Sequence, residues 1–291
     1  MIYYVLLAVS IILAVGKSSL YNSYARKSES SMGATFLFNA MSYGVAAVIA
    51  LVGMLVSSET ISMLTVICAF FYAIIVISLQ TISITAMRVG AMSTTSICVM
   101  YGMIIPSIAG PIFWKESIGF LQIVGILLMV VSLWLIKGKS SEEEKGVSRK
   151  WVLLAILAFV LSGMAGVMEK IHQSTGARAE RMSFVLIACA FMLLFSIVAR
   201  LITHKHRGGY HQNSTILLAS LSGIVIGLYF TINLTLSGNL DSMIYYPIAN
   251  GGAMLLTVLV SVIVFKERFD KQRIIGTIIG LLGILCLSIP A

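Results

Sequence analysis

Ten stretches of this chain contain no Asp, Glu, Lys or Arg: Met1–Gly16, Ser30–Ser58, Thr60–Met87, Val89–Trp114, Ser117–Ile136, Trp151–Met168, Met182–Ala199, Gly208–Leu240, Ser242–Phe265 and Ile274–Ala291. An α-helix needs about 20 mostly apolar residues to cross the hydrocarbon of a bilayer. The shorter runs can reach that length by snorkelling of a terminal Lys or Arg. Transmembrane strands would be shorter and would alternate with polar lumen residues, which these runs do not do. The pattern therefore predicts an all-α integral membrane protein with ten transmembrane helices. Composition agrees. Of 291 residues, 59% are hydrophobic and 11% charged, against roughly 25% charged in ordinary globular domains. Such a chain cannot cover a soluble surface, so a multi-pass protein of the cell membrane is expected.

The runs fall five and five about one polar segment. Lys115-Glu116 recurs as Lys266-Glu267, and Gly125 recurs as Gly276, each 151 positions later. Self-similarity over half a chain marks a repeat architecture. The boundaries read as a first five-helix repeat over 1–136, a polar linker over 137–150 and a second five-helix repeat over 151–291. The linker's Glu142-Glu143-Glu144 block is expected to be solvated. An odd number of spans per repeat makes the second half enter the membrane from the opposite side. Two inverted five-helix repeats follow, an arrangement that places substrate sites near the midplane, between the halves.

On these features the sequence resembles the drug/metabolite transporter superfamily, specifically its ten-helix EamA-like carriers. The Lys-Glu elements with their glycine-bearing following helices carry the resemblance. So do the short turns Ala86–Ala91 and Leu236–Ser242, which sit where that family joins helices three to four and eight to nine. The resemblance implies two bundles around a central cavity, with the fifth and tenth helices peripheral.

The net charge of +9 calls for no nucleic acid, because no basic soluble domain exists to bind one. Short basic loops are the usual signature of membrane orientation. Loops after helices 1, 3, 5, 7 and 9 carry most of the Lys and Arg, which places both termini outside; the family resemblance implies both in the cytoplasm. Cys68, Cys98, Cys189 and Cys286 lie in apolar runs without CxxC spacing and read as small buried residues. His172, His204, His206 and His211 read as solvated loop residues without zinc-site spacing. There is no GxSxG, HExxH or P-loop. No enzyme, metal or cofactor is expected, and the N-terminus reads as a retained helix.

Ionisable groups within spans are functional candidates, since a charge at the bilayer centre costs at least about 2.5–3.5 kcal/mol. Lys17 on the first helix and Glu169 on the sixth stand near the far ends of their helices. Lys17 suits an anionic substrate group, Glu169 a coupling carboxylate; both, with Lys170, could instead snorkel. In the ninth helix Tyr246 and Asn250 share a face. Pro247 there could break the helix and free a carbonyl for substrate, or only kink it. Tyr101 shares a face of the fourth helix with Thr94. Gln80, and Tyr229 with Asn233, are polar enough to face protein or a cavity. The GxxxG patterns Gly223–Gly227 and Gly276–Gly280 serve close internal packing or, on the tenth helix, a weak homodimer. The reading is a secondary transporter moving a small polar organic metabolite by alternating access. A lipid-carrier flippase is the alternative.

Overall fold

The computed structural model describes residues 2–27, 32–90, 92–115, 119–136, 148–203, 212–240, 242–264, 266, 271–287 and 289. Among them every regular element is helical: α1 Ile2–Lys27, α2 Met32–Ser57, α3 Met63–Val89, α4 Met92–Met100, a 3₁₀ turn Tyr101–Met103, α5 Ile104–Trp114, α6 Phe120–Ile136, α7 Arg149–Gln173, a second 3₁₀ turn Gly176–Ala179, α8 Arg181–Ile202, α9 Gln212–Asn239, α10 Ser242–Ile263 and α11 Lys271–Leu287. Seven of these segments are long and apolar enough to cross a membrane, α4 to α5 counting as one, and three further apolar helices come from α6, α10 and α11. The protein is multi-pass. Most of the linker, and Glu116 and Glu267 with it, lies outside the described residues.

The packing has a regular form. α2 lies on α8 and α6 on α11; α3 meets α7 and α8, while α9 meets α1 and α2; α1 touches α10, and α7 touches α4 and α5. Exchanging the two halves maps this set of contacts onto itself. The α6–α11 pair repeats the relation in atomic detail. Ser132 Oγ donates to Gly276 O at 2.6 Å. A Cβ on Gly283 would stand 2.8 Å from Gly125 O. Gly125 and Gly276 are 151 positions apart, as are Ser132 and Gly283, so one contact is the image of the other. Lys115 and Lys266, the residues that announce the duplication, both adopt the left-handed conformation, with φ of 56° and 54°. Lys115 caps α5 in this way, its N–H reaching Gly110 O.

Lipid tails are as apolar as Leu, so helices in a bilayer associate by close van der Waals packing and internal hydrogen bonds. Small residues sit at the crossings accordingly. A Cβ on Gly102 would come within 2.7 Å of Phe159 O, and one on Gly223 within 2.5 Å of Ser42 O. Both GxxxG patterns are consumed internally, Gly223–Gly227 against α2 and Gly280 against Tyr101 and Ser132.

The expectation of a break at Pro247 is revised. α10 runs unbroken through Pro247. The interruption lies in the fourth span, at Tyr101–Met103. Pro106 has no N–H to offer the carbonyl of Gly102, four residues earlier, and a 3₁₀ turn tightens the chain there. The first helix also extends ten residues past Lys17, to Lys27. Lys17 is thus well inside its span, and Glu169 is four residues from the end of α7.

Candidate functional site

The site begins with Lys17. α1 delivers it, half-buried, into a cleft among α1, α3, α4 and α9. The cleft encloses about 460 Å³ including its open mouth, and Lys17, Ser18, Tyr21, Gln80, Ser83 and Ser96 supply its polar wall. Val76, Leu79, Met87, Val99 and Phe230 supply its apolar wall. Ser83 and Met87 lie in the last turns of α3 and Ser96 in the first turns of α4. The lining therefore extends from mid-bundle toward the end that carries the loops after α1, α3 and α8, here the basic end. Ser96 is 2% exposed, and its buried Oγ has no hydrogen-bond partner among the described residues. A buried hydroxyl without a partner is costly, and a bound ligand would relieve it.

Lys17 Nζ stands over the ring of Tyr229, 4.1 Å from its centroid, a cation–π contact that steadies the ammonium without neutralising it. Tyr229 is one helical turn before Asn233 on α9, whose Oδ1 accepts from Ser10 at 2.6 Å and from Tyr245 at 2.7 Å. Those bonds tie α1, α9 and α10 together beside the lysine. On the other half Glu169 is 9% exposed, and its Oε1 accepts from Tyr72 at 2.8 Å. Glu169 lies within electrostatic reach of Lys17. A lysine from α1 is therefore covered by a tyrosine of α9, and a glutamate from α7 is held by a tyrosine of α3.

The other predicted residues divide. Gln80 lines the cleft and also binds α3 to α2, accepting from Tyr43 and donating to Asn39 Oδ1 at 2.8 Å. Tyr246 donates to Gly166 O at 3.0 Å, one turn from Glu169. Asn250 is half-buried, and its Nδ2 is bonded within α10, to Tyr246 O at 2.8 Å. Tyr101 is fully buried and turns its hydroxyl to Ser132 of α6, away from the cleft. Tyr21, Tyr72 and Ser96 were not singled out from the sequence. Tyr72 had a readable signal: Thr65, Cys68, Ala69 and Tyr72 form one buried stripe at helical spacing. Among the histidines, His172 is a correction. It is fully buried in the last turn of α7, its ring tilted against that of Phe184 with centroids 4.3 Å apart, and its Nε2 3.1 Å from Thr65 Oγ1. Its place next to the end of an apolar run suggested a loop, but α7 continues to Gln173. The other three lie outside the described residues.

The opposite end of the bundle, where Ile2 and Ile289 lie, is stitched shut. Glu180 accepts from Ser62 N at 2.9 Å, Ser62 Oγ at 2.8 Å, Thr60 Oγ1 at 3.2 Å and Thr65 Oγ1. Glu59 accepts from Ser183 N at 2.9 Å. Each glutamate precedes one helix and caps the N-terminus of the other, α3 or α8, where unpaired N–H groups and the helix dipole favour a carboxylate. Partial burial alone would raise the Glu180 carboxyl; the hydrogen bonds from Thr65, Ser62 and Thr60 outweigh it and hold it at about 2. Arg178 reaches Gly238 O, Tyr3 donates to Asn239 at 3.2 Å, and Trp114 donates to Ser174 at 3.0 Å. At the basic end the cross-links include Arg88 to Thr35 and Trp151 to Thr95, and the cleft's lining reaches toward this end.

Residues 149–289 match the EamA-like transporter family. An uncharacterized protein of Haemophilus influenzae (strain ATCC 51907 / DSM 11121 / KW20 / Rd) is 26% identical over 189 residues, which span 64% of this chain and 62% of that protein. The match therefore covers less than two thirds of the relative's length. A solved crystal structure superposes with a TM-score of 0.66 at 13% identity, over 96% of this chain and 98% of the other. At that identity the likeness concerns the fold alone.

Proposed function

We propose, from the match of residues 149–289 to the EamA-like transporter family, that the chain is a secondary carrier that moves a small polar organic metabolite across the membrane by alternating access. One observation carries the reading. A half-buried lysine, Lys17, and a buried hydroxyl with no hydrogen-bond partner among the described residues, Ser96, line a cleft toward one end of the bundle, and hydrogen bonds tie the other end together. A pore would need no closed end.

The two halves, 1–136 and 151–291, act as inverted repeats joined by the 137–150 linker. Support comes from contacts that map onto themselves when the halves are exchanged. In such a carrier the halves rock about a fixed site, and the cleft closes at one end as the seam opens at the other. Lys17 receives an anionic group of the substrate, Gln80 and Ser96 its polar body, and Tyr229 holds the lysine in place. Glu169, within electrostatic reach of Lys17, is the second half's ionisable contribution to the site.

Reconstituted liposomes test this. Uptake of a radiolabelled pool of water-soluble metabolites, reduced in Lys17→Gln, supports the carrier. Labelled lipid moving between leaflets without metabolite uptake would replace it with the flippase reading.

A further inference from the structure

Lys17 lines the cleft, but the groups that fix it stand behind the wall. The described residues lining the cleft include none of Tyr229, Asn233 and Tyr245. Tyr229 carries the Lys17 ammonium on its ring, and its hydroxyl lies within hydrogen-bonding reach of the Asn233 amide, one turn further along α9. Asn233 Oδ1 takes two hydroxyl donors, Ser10 of α1 at 2.6 Å and Tyr245 of α10 at 2.7 Å, and all three residues are buried. Tyr245 is backed in turn by Tyr246, whose ring centroid is 4.7 Å away and whose hydroxyl is bound to Gly166 O of α7. Ser10 and Lys17 are two turns apart on one face of α1. They meet Asn233 and Tyr229, one turn apart on α9.

Resting on the carrier reading above, we infer that Asn233 is a positioning residue and not a substrate contact: it sets the ring of Tyr229, and through that ring the place of the Lys17 ammonium in the cleft. The amide is engaged by Ser10, Tyr245 and Tyr229 and is buried, so a molecule in the cleft meets Lys17 and not Asn233. A lysine is a compact charge on a flexible four-carbon stem and chooses no direction of its own. A cation–π contact gives it one, because the attraction depends on the ammonium lying over the ring face. The ring can do this only if it is itself held, and Tyr229 is half-buried, with one side toward the lysine. The two bonds to Asn233 differ in kind. The one from Ser10 joins the first half to the second, whereas the one from Tyr245 lies within the second half. When the halves rock, Tyr245 keeps Asn233 and Tyr229 in place, and Lys17 meets the same ring each time α1 returns.

The test reads the contact between ring and ammonium. Reductive methylation of the purified full chain with ¹³C-formaldehyde converts its lysines to dimethyl-lysines, which keep their charge. Methyl protons of Lys17 over the Tyr229 ring take an upfield ring-current shift in the NMR spectrum; Lys17→Arg assigns the signal, and Tyr229→Leu gives its unshifted position. The inference expects Asn233→Leu to lose most of that shift. It expects Tyr245→Phe, which keeps the ring and removes one donor, to lose part of it. Gly163→Ala, a packing change where α7 crosses the fourth span, should leave the shift intact even at an equal loss of thermal stability. Full retention of the shift in Asn233→Leu overturns the inference, as does an equal loss in Gly163→Ala, which would make the ring follow general packing. If Asn233→Leu does not fold, Tyr245→Phe decides: partial loss supports the inference, and full retention overturns it. Proteoliposome uptake of the radiolabelled metabolite pool is run alongside, and Asn233→Leu should reduce it as Lys17→Gln does. Uptake by the parent with the methyl signal unmoved in the variants overturns this inference and leaves the carrier, whereas no uptake by the parent overturns the carrier whatever the methyl signal does.

Discussion

Glu180→Gln should unfasten the closed end of the bundle. Four donors converge on the carboxylate, three of them on Oε2. The glutamine loses the charge, and in one orientation its amide N–H₂ meets the Ser62 N–H donor to donor. Hydrogen bonds to a charged group contribute about 1.5–3 kcal/mol net each and neutral ones about 0.5–1.5. The position is near water, so part of that difference is screened. A loss of about 2–3 kcal/mol across the set is expected. At 1.4 kcal/mol per tenfold, about 30- to 150-fold more molecules would have the seam open. Cys68 reports this directly. It is 4% exposed, on the same α3 stripe as Thr65, beneath the seam. With Cys98, Cys189 and Cys286 replaced by Ala, labelling of Cys68 by a water-soluble maleimide applied from the seam end should accelerate in that range. A folded Glu180→Gln protein that labels no faster than its parent would refute the view that these hydrogen bonds hold the closed end.

Other consequences follow from the same contacts. The Glu180 carboxyl is held at about 2, well below its ordinary 4.5. The closed seam is therefore fully favoured above about pH 4.5 and loses that contribution as pH falls toward 2; spin labels at Ser58 and Ala179 should report a constant distance from pH 7 to 5 and separation below 4. Asn233→Leu strands the hydroxyls of Ser10 and Tyr245, and thermal unfolding in detergent should show a loss of about 1–3 kcal/mol; an unchanged midpoint would mean that water satisfies both. In Gly163→Ala the new Cβ would meet Gly102 O at 2.7 Å and should cost about 1–3 kcal/mol. Gly16→Ala, whose nearest neighbour is Val225 at 4.0 Å, serves as its near-neutral control.

Much of the architecture could be read from charge alone. Runs free of charged residues locate the spans because hydrocarbon forces every backbone group into internal hydrogen bonds. The same rule misjudged Lys17 and His172. A span was taken to stop at its first charge, yet α1 continues to Lys27 and α7 to Gln173, because the lysine is turned into a cleft and the histidine against Phe184 and Thr65. Pro247 is the proline the sequence offers for a broken helix, yet the 3₁₀ turn lies one turn before Pro106. Propensity identifies where a carbonyl can be freed, but packing decides where the chain distorts. The pairing of Tyr101 with Ser132, and of Glu180 with Ser62, joins residues far apart in the chain, and no local spacing encodes it.

The most direct test of alternating access is paired distance measurement in lipid nanodiscs by double electron–electron resonance. One pair of spin labels spans the seam, at Ser58 and Ala179. The other spans the cleft mouth, at Val89 and Leu217, both outward-facing. The account predicts two populations with reciprocal distances, the mouth pair drawing together in the population whose seam pair moves apart, and Glu180→Gln increasing that population. Two distances that vary independently, or a mouth that stays open when the seam opens, would contradict it.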